Sequence, residues 1–247
     1  DEQIRHSITK MSYLHFCSTE LYCKRIIQMG EDPSRVFNSG APGIDNIVNL
    51  DLLSKDKLEE NLDWKFSSKS ALFTYHPVTL GKNDIPRDLK VILNVLIKTN
   101  INVLFTYANA DNGGRFINQK IEEFCRLDPI KYKVVKSLGQ LKYLSAMKHT
   151  DLLIGNTSSG IIEAASFGKP VVNIGDRQKG RLKGNNVIDC NLDTLESSIN
   201  LAISGDFKEI SQNTHNIYGV GIASDIILNE LVEQEVFVTK KFIDSIP

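Results

Sequence analysis

From residue 71 onward, short apolar runs alternate with amphipathic helical segments, and the apolar runs show no polar–apolar alternation of their own. A strand with one wet face shows a period of two, whereas a strand covered on both faces reads as a continuous apolar run. Residues 71–75 (ALFTY) form such a run and end at His76-Pro77. Residues 86–98 then put Leu89, Ile92, Leu93 and Leu96 on one helical face. Residues 101–107 (INVLFTY) are the next strand, followed by a polar Gly-containing loop and a helix to about Cys125. A short strand is expected over 131–136, a helix over 139–148 and a strand over 151–155. A Thr-Ser-Ser-Gly turn, a helix to Gly168 and the strand Pro170–Ile174 follow. Asp193 with Glu196 predicts a capping box for a helix carrying Leu195, Ile199 and Ile203.

This order predicts an α/β fold, with a parallel sheet and helices on both faces. Such sheets bind ligands at the carboxyl ends of their strands. His76, Asn109, Thr157 to Gly160 and Arg177 each follow an expected strand. Residues 1–40 read as a separate unit: a helix through Lys10, the strand-like Tyr13–Phe16, an amphipathic helix from about Ser18, then Val36–Phe37. Residues 41–69 carry many charges and few strand signals, as a linker or surface-helix region does. The tail from Glu233 is amphipathic. The chain opens on Asp1 within what looks like the interior of an element, so it is expected to be a fragment of a longer protein.

Composition removes some classes of function. A net charge of −1 gives no basic field to recruit nucleic acid. No apolar run reaches membrane-spanning length. Cys17, Cys23, Cys125 and Cys190 show neither CxxC spacing nor a disulfide framework, and are expected as reduced thiols in a cytoplasmic protein. No His/Cys cluster has metal-ligand spacing, so no metal is expected.

The most informative stretch is Asp151-Leu-Leu-Ile-Gly-Asn-Thr-Ser-Ser-Gly-Ile-Ile-Glu-Ala-Ala-Ser-Phe-Gly-Lys-Pro170. A strand runs into small hydroxyl residues and then a helix. Unpaired N–H groups at a helix start, with the hydroxyls of Thr157, Ser158 and Ser159 and the bare backbone of Gly160, suit a diphosphate. The plainer reading is that Thr157 and Ser158 only cap the helix. Glu163, about one turn in, can accept both hydroxyls of a ribose; its plainer role is compensation of the helix dipole. Gly175-Asp-Arg-Gln-Lys-Gly-Arg-Leu-Lys183 is a basic loop at the same sheet edge. Arg177 is placed to neutralise phosphate oxygens, whereas Lys179 and Lys183 read more readily as solvated. His76 is kept out of helical geometry by Pro77, so its imidazole tops a strand, where it can bind phosphate or move a proton.

The segments Asp1-Glu-Gln-Ile-Arg-His-Ser-Ile-Thr-Lys10, Tyr75-His-Pro-Val-Thr79, Gly155-Asn-Thr-Ser-Ser-Gly-Ile-Ile-Glu163 and Gly175-Asp-Arg-Gln-Lys-Gly-Arg181 resemble the hydrolysing UDP-N-acetylglucosamine 2-epimerases. Bacterial sialic-acid enzymes and the epimerase half of the bifunctional animal enzyme share them. Tyr218-Gly-Val-Gly-Ile-Ala-Ser224 fits a further family segment. The resemblance implies a GT-B-like fold of two Rossmann-like halves. This chain would hold the end of the N-terminal half (1–41), the complete C-terminal, UDP-binding half (42–232) and a tail (233–247) crossing back to the first half. It also implies conversion of UDP-N-acetylglucosamine to N-acetylmannosamine and UDP. UDP leaves by anti elimination, and water adds to the resulting 2-acetamidoglucal, with no NAD or other cofactor. A homo-oligomer, dimer or tetramer, is expected at full length.

Position by position, the resemblance gives Asp1 a part in the proton chemistry and sets His76 beside the UDP phosphates. Thr157, Ser158, Ser159 and Gly160 fall to the diphosphate, Glu163 to the ribose and Arg177 to a further UDP contact. Asn109 and Leu138 match nucleotide-contacting positions, and Tyr143 falls where an aromatic lies beside the uracil. Lys136 fits the site where the animal enzyme binds CMP-sialic acid, but Gln119 and Ser137 stand where that site is basic, so feedback inhibition is not carried over. Two rivals stay open: the same chemistry on a UDP-2,4-diacetamido-2,4,6-trideoxyglucose, and a GT-B glycosyltransferase using a UDP-sugar. A non-catalytic nucleotide-binding module is the other class. Two further family carboxylates lie upstream of Asp1, so the chain alone is expected to be catalytically silent.

Overall fold

The structure is a computed structural model that describes residues 2–78, 84–237, 239–241 and 243–244. It divides into two compact units, one of residues 1–50 with 217–247 and one of residues 51–216. The sequence reading draws its boundaries at 41/42 and 232/233 instead. The difference comes from helices α3 (Pro42–Asn49) and α11 (Ala223–Glu233), which pack on each other in the first unit. Asp45 of α3 caps α11, accepting from the backbone N–H of Ala223 (2.9 Å) and Ser224 (2.7 Å).

The first unit also holds α1 (Glu2–Met11), β1 (His15–Cys17), α2 (Glu20–Gln28) and β2 (Val36–Asn38). The two strands pair in parallel, His15 opposite Val36. Thr19 starts α2 as its N-cap, accepting from Tyr22 N–H. Behind these elements lies an ion-pair cluster. Glu31, 1% exposed, meets Lys10 at 2.8 Å, His15 at 3.0 Å and Lys240 at 2.5 Å. Burial alone would raise the Glu31 carboxyl, but hydrogen bonds from Lys10, Lys240 and His15 overcome it and hold the group at about 2. Lys240 also donates to the carbonyls of Lys10 and Ser12, joining the C-terminal segment to the start of the unit.

The second unit runs α4 (Lys55–Leu62), β3 (Ser70–Thr74), α5 (Ile85–Thr99), β4 (Asn102–Thr106), α6 (Gly114–Cys125), β5 (Tyr132–Val135), α7 (Gly139–His149), β6 (Leu152–Gly155), α8 (Ser158–Ile162), β7 (Val171–Ile174), β8 (Val187–Cys190), α9 (Leu195–Ala202) and α10 (Gly205–Gln212). Its six strands are all parallel, in the order β5-β4-β3-β6-β7-β8. Alternate residues of each strand feed two apolar cores. Phe73, Phe105, Ile154 and Val172 face the core built with Ile92, Leu96, Ile117 and Ile199. Leu72, Leu104, Leu153 and Val171 face the core built with Leu58, Trp64, Ala146 and Met147. Burial on both faces is why these strands show no polar alternation.

Three expectations need correction. Of the two readings of residues 41–69, the helical one holds rather than the linker, but α4 is no mere surface helix: Leu58 and Leu62, four apart among its charges, sit in the second core with Trp64 and Phe66. Charge count hid that narrow stripe. The capping box is not formed. The N-cap of α9 is Thr194, without a side-chain cap bond; Asn191 Oδ1 accepts from the N–H of Asp193 and Thr194, and Glu196 pairs with Lys98 at 3.4 Å. The helix expected through Gly168 is broken. α8 ends at Ile162, and a 3-10 turn follows over Ala164–Phe167. β8 was not expected at all, because its four residues carry a central Asp189 that masks the strand pattern.

Candidate functional site

In this strand order the chain passes from β3 outward through β4 to β5, then returns to place β6 on the other side of β3. The loops leaving β3 and β6 therefore diverge, which opens a crevice at their carboxyl ends. His76 leaves β3 there, and Asn156 to Ser159 leave β6. Gly155 closes the floor: its φ is +139°, and a Cβ would lie 1.9 Å from the Thr74 carbonyl oxygen. Only glycine fits that approach.

His76 is held from several sides. Its backbone N–H donates to Asn156 Oδ1 (2.7 Å), and its carbonyl accepts from Asn156 Nδ2 (2.8 Å). Its ring Nδ1 accepts the backbone N–H of Asn109 (3.1 Å). Since Nδ1 accepts, the proton of the neutral ring sits on Nε2. Burial, and then the charge of Arg177, push the imidazole down to about 4 against a smaller opposing effect of Asp111. At neutral pH His76 is thus an uncharged donor through Nε2–H, pre-set by the Asn109 backbone.

Thr157 is the N-cap of α8 and accepts from Ser159 N–H (3.3 Å), so the plain capping role is real for this residue. The Ser159 hydroxyl is committed to Glu163. Ser158 is half-buried at the first position of α8. Gly160 packs tightly, since a Cβ would lie 3.0 Å from Val171 Cγ1 of β7. Glu163 is the C-cap of α8, where an acid opposes the helix dipole. It is also the N-cap residue of the 3-10 turn Ala164–Phe167, where its side chain makes no cap bond. Burial raises its carboxyl, partly offset by Ser159.

Arg177 donates to the Asn156 carbonyl (3.1 Å), which brings the basic loop after β7 to the same crevice. Lys183 is taken by Asp189 at 2.6 Å, and Lys179 is exposed. Tyr143 is half-buried on α7; burial raises its phenol, while the neighbouring hydroxyls of Ser159, Thr74 and Thr157 oppose the shift. Leu138 buries its side chain in the second core, so it has only backbone to offer a ligand. Asp1 and Thr79 lie outside the described residues. His76, Asn109, Thr157, Ser158, Glu163 and Arg177 are brought to one sheet edge. Sequence reasoning missed Asn156 and Gln178, which join these loops. Among the described residues no group of three or more His, Cys, Asp or Glu side chains could hold a metal, and no helix is long and apolar enough to cross a membrane.

A doubly wound parallel sheet with polar groups gathered at its switch point defines a Rossmann-like α/β protein. The chain belongs to the UDP-N-acetylglucosamine 2-epimerase family, whose model matches residues 1–232. A GDP/UDP-N,N'-diacetylbacillosamine 2-epimerase (hydrolyzing) of Campylobacter jejuni is 43% identical over 210 residues, covering 85% of this chain and 55% of the relative. Polysialic acid biosynthesis protein P7 of Escherichia coli is 38% identical over 225 residues, covering 88% of this chain and 56% of that protein. The chain thus spans about half the length of these relatives. The crystal structure of UDP-GlcNAc 2-epimerase from Neisseria meningitidis bound to UDP-GlcNAc superposes with a TM-score of 0.68 at 20% identity, covering 92% of this chain and 62% of that one. The fold is accordingly α/β with a parallel sheet, of the kind seen in GT-B-like 2-epimerases.

Proposed function

We propose that this chain is the nucleotide-gripping part of a hydrolysing 2-epimerase acting on a UDP-linked 2-acetamido sugar. The observation that carries the reading is His76, fixed as a neutral Nε2–H donor at the switch point beside Arg177. A neutral donor and a guanidinium at one strand edge suit a diphosphate leaving group, on which charge develops as the C1–O bond breaks. Backbone N–H groups and the hydroxyl at Ser158 add to that grip. Glu163 exchanges its Ser159 partner for the ribose hydroxyls. Asn109, the Leu138 backbone and Tyr143 border the nucleoside. Asp1 takes part in proton removal at C2, after which water adds to the 2-acetamidoglucal.

With UDP-N-acetylglucosamine the products are N-acetylmannosamine and UDP; the family description and the polysialic-acid relative support this substrate. The Campylobacter relative favours a second reading, the same reaction on a UDP-2,4-diacetamido-2,4,6-trideoxyglucose. The longest reading frame containing this chain should release UDP and a free 2-epimerised sugar from one of the two. Free UDP without free sugar, or transfer to an acceptor, would instead indicate a glycosyltransferase.

Binding to the chain itself checks the ribose assignment. Glu163→Ala should weaken UDP by about 1.5–3 kcal/mol, the worth of hydrogen bonds to a charged group, and weaken 2′,3′-dideoxy-UDP far less. Equal losses by calorimetry would return Glu163 to a structural role.

A further inference from the structure

Among the buried amides that the reading above does not use, Asn156 lies nearest its chemistry. Asn156, 1% exposed, is the point at which the loops after β3, β6 and β7 meet. Its backbone N–H donates to the Thr74 carbonyl (3.1 Å). Its side chain exchanges two hydrogen bonds with the backbone of His76, donating from Nδ2 and accepting at Oδ1. That reciprocal pair is the one an antiparallel strand residue would make with its backbone. Here a side chain makes it, beyond Thr74–Gly155, the last register pair of β3 with β6. Pro77 restricts the His76 backbone further. The Asn156 carbonyl meanwhile accepts from Arg177 (3.1 Å) and from Gln178 Nε2 (2.8 Å). Gln178 is itself 2% exposed, so its arm of the junction is internal.

We infer that Asn156 is a positioning residue that sets His76 and Arg177 opposite each other across the crevice, and so fixes the grip on the second phosphate of a nucleoside diphosphate. The inference rests on the diphosphate reading of the site. The chemistry asks for an amide. Only a side chain that donates and accepts at once can close both bonds to His76. Aspartate keeps the bond to the His76 N–H and sets an acceptor against the His76 carbonyl. Alanine loses both but keeps the backbone carbonyl under Arg177. The side-chain contribution therefore passes through His76 alone.

A double-mutant cycle isolates that contribution. UDP and UMP affinities are measured by calorimetry for the unmodified chain, Asn156→Ala, His76→Ala and the double variant. Asn156→Ala should weaken UDP about tenfold, the size of one or two lost hydrogen bonds, and leave UMP within about twofold. In the His76→Ala background the same change should cost less than about twofold. Additive losses would make Asn156 a general structural residue and overturn the inference. If the unmodified chain binds UDP no better than UMP, the diphosphate reading fails instead. NMR titration of His76 then tests, without any ligand, whether the Asn156 side chain acts on His76 at all. Asn156→Asp, which matches the native side chain in size and serves if the alanine variant does not fold, should move the His76 midpoint up from about 4. An unmoved midpoint would overturn the inference whatever the nucleotide data show.

Discussion

Replacing His76 by Ala should lower UDP release by the longest reading frame containing this chain about 10²–10³-fold, the usual cost of removing one pre-set donor to a developing negative charge. Folding should be nearly unaffected, because the imidazole is half-buried at a strand end and belongs to neither apolar core. The effect is large because the donor is already prepared. Asn109 N–H occupies Nδ1, so Nε2–H needs no tautomer change. Because burial and Arg177 keep the ring neutral down to about pH 4, this residue should put no break near pH 6.5 in the rate profile of the free enzyme. The measurement is UDP release against pH for the native and variant proteins, with circular dichroism to check the fold. Native turnover in a folded His76→Ala protein would remove His76 from the mechanism.

Glu31→Gln should destabilise the first unit by about 3 kcal/mol at neutral pH. The figure is the usual cost of removing one charge from a buried ion pair, and the carboxyl held at about 2 against an ordinary 4.5 sets its pH window. A depressed carboxylate contributes stability that is full above its unfolded value and is lost as pH falls through its folded value. The native protein should therefore lose this stabilisation between about pH 4.5 and pH 2, whereas Glu31→Gln should show a flatter profile across that window. Neutralising the carboxylate also leaves Lys10 and Lys240 facing each other without a counter-charge. Hydrogen exchange of β1 and α2 amides at pH 7 and pH 3 reads the difference in the unit concerned. Equal protection in the two proteins at pH 7 would mean that the cluster contributes nothing.

The parallel sheet was legible because its strands are apolar on both faces, and the helices α5 and α6 because their apolar faces are strongly periodic, whereas α7 shows little periodicity and leaves Leu141 exposed. β8 was not, since a four-residue edge strand with Asp189 at its centre offers no pattern until β7 is there to pair with it. α4 was misjudged because two leucines among five charged residues are a weak signal until they meet Trp64 and Met147. At the candidate site, sequence order pointed to His76, Asn109, Thr157, Ser158 and Arg177 after their strands, but not to Asn156, which holds two of the loops together. Asn156 reads as one more polar turn residue. Its importance comes from a partner, His76, that is 80 residues away along the chain. The reasons for individual residues shifted too. Gly160 is packed close against Val171 behind it, and Glu163 lies at the wrong end of α8 to serve the helix dipole.

The four cysteines carry a practical consequence. Cys17, Cys23, Cys125 and Cys190 are all buried as free thiols, and burial raises each of them, Cys17 and Cys125 to about 12 and Cys190 to about 11. Thiolate is the form that reacts with electrophiles. The native chain should therefore consume almost no Ellman's reagent over minutes, yet titrate four thiols once denatured. To thiol chemistry the folded protein behaves as if it had no cysteine. A single cysteine placed at exposed Lys179, in the basic loop beside Arg177, would then accept a fluorophore against a silent background. The arrival of a nucleotide at the crevice becomes visible as an optical signal, in a protein that needs no prior removal of its own sulfhydryls.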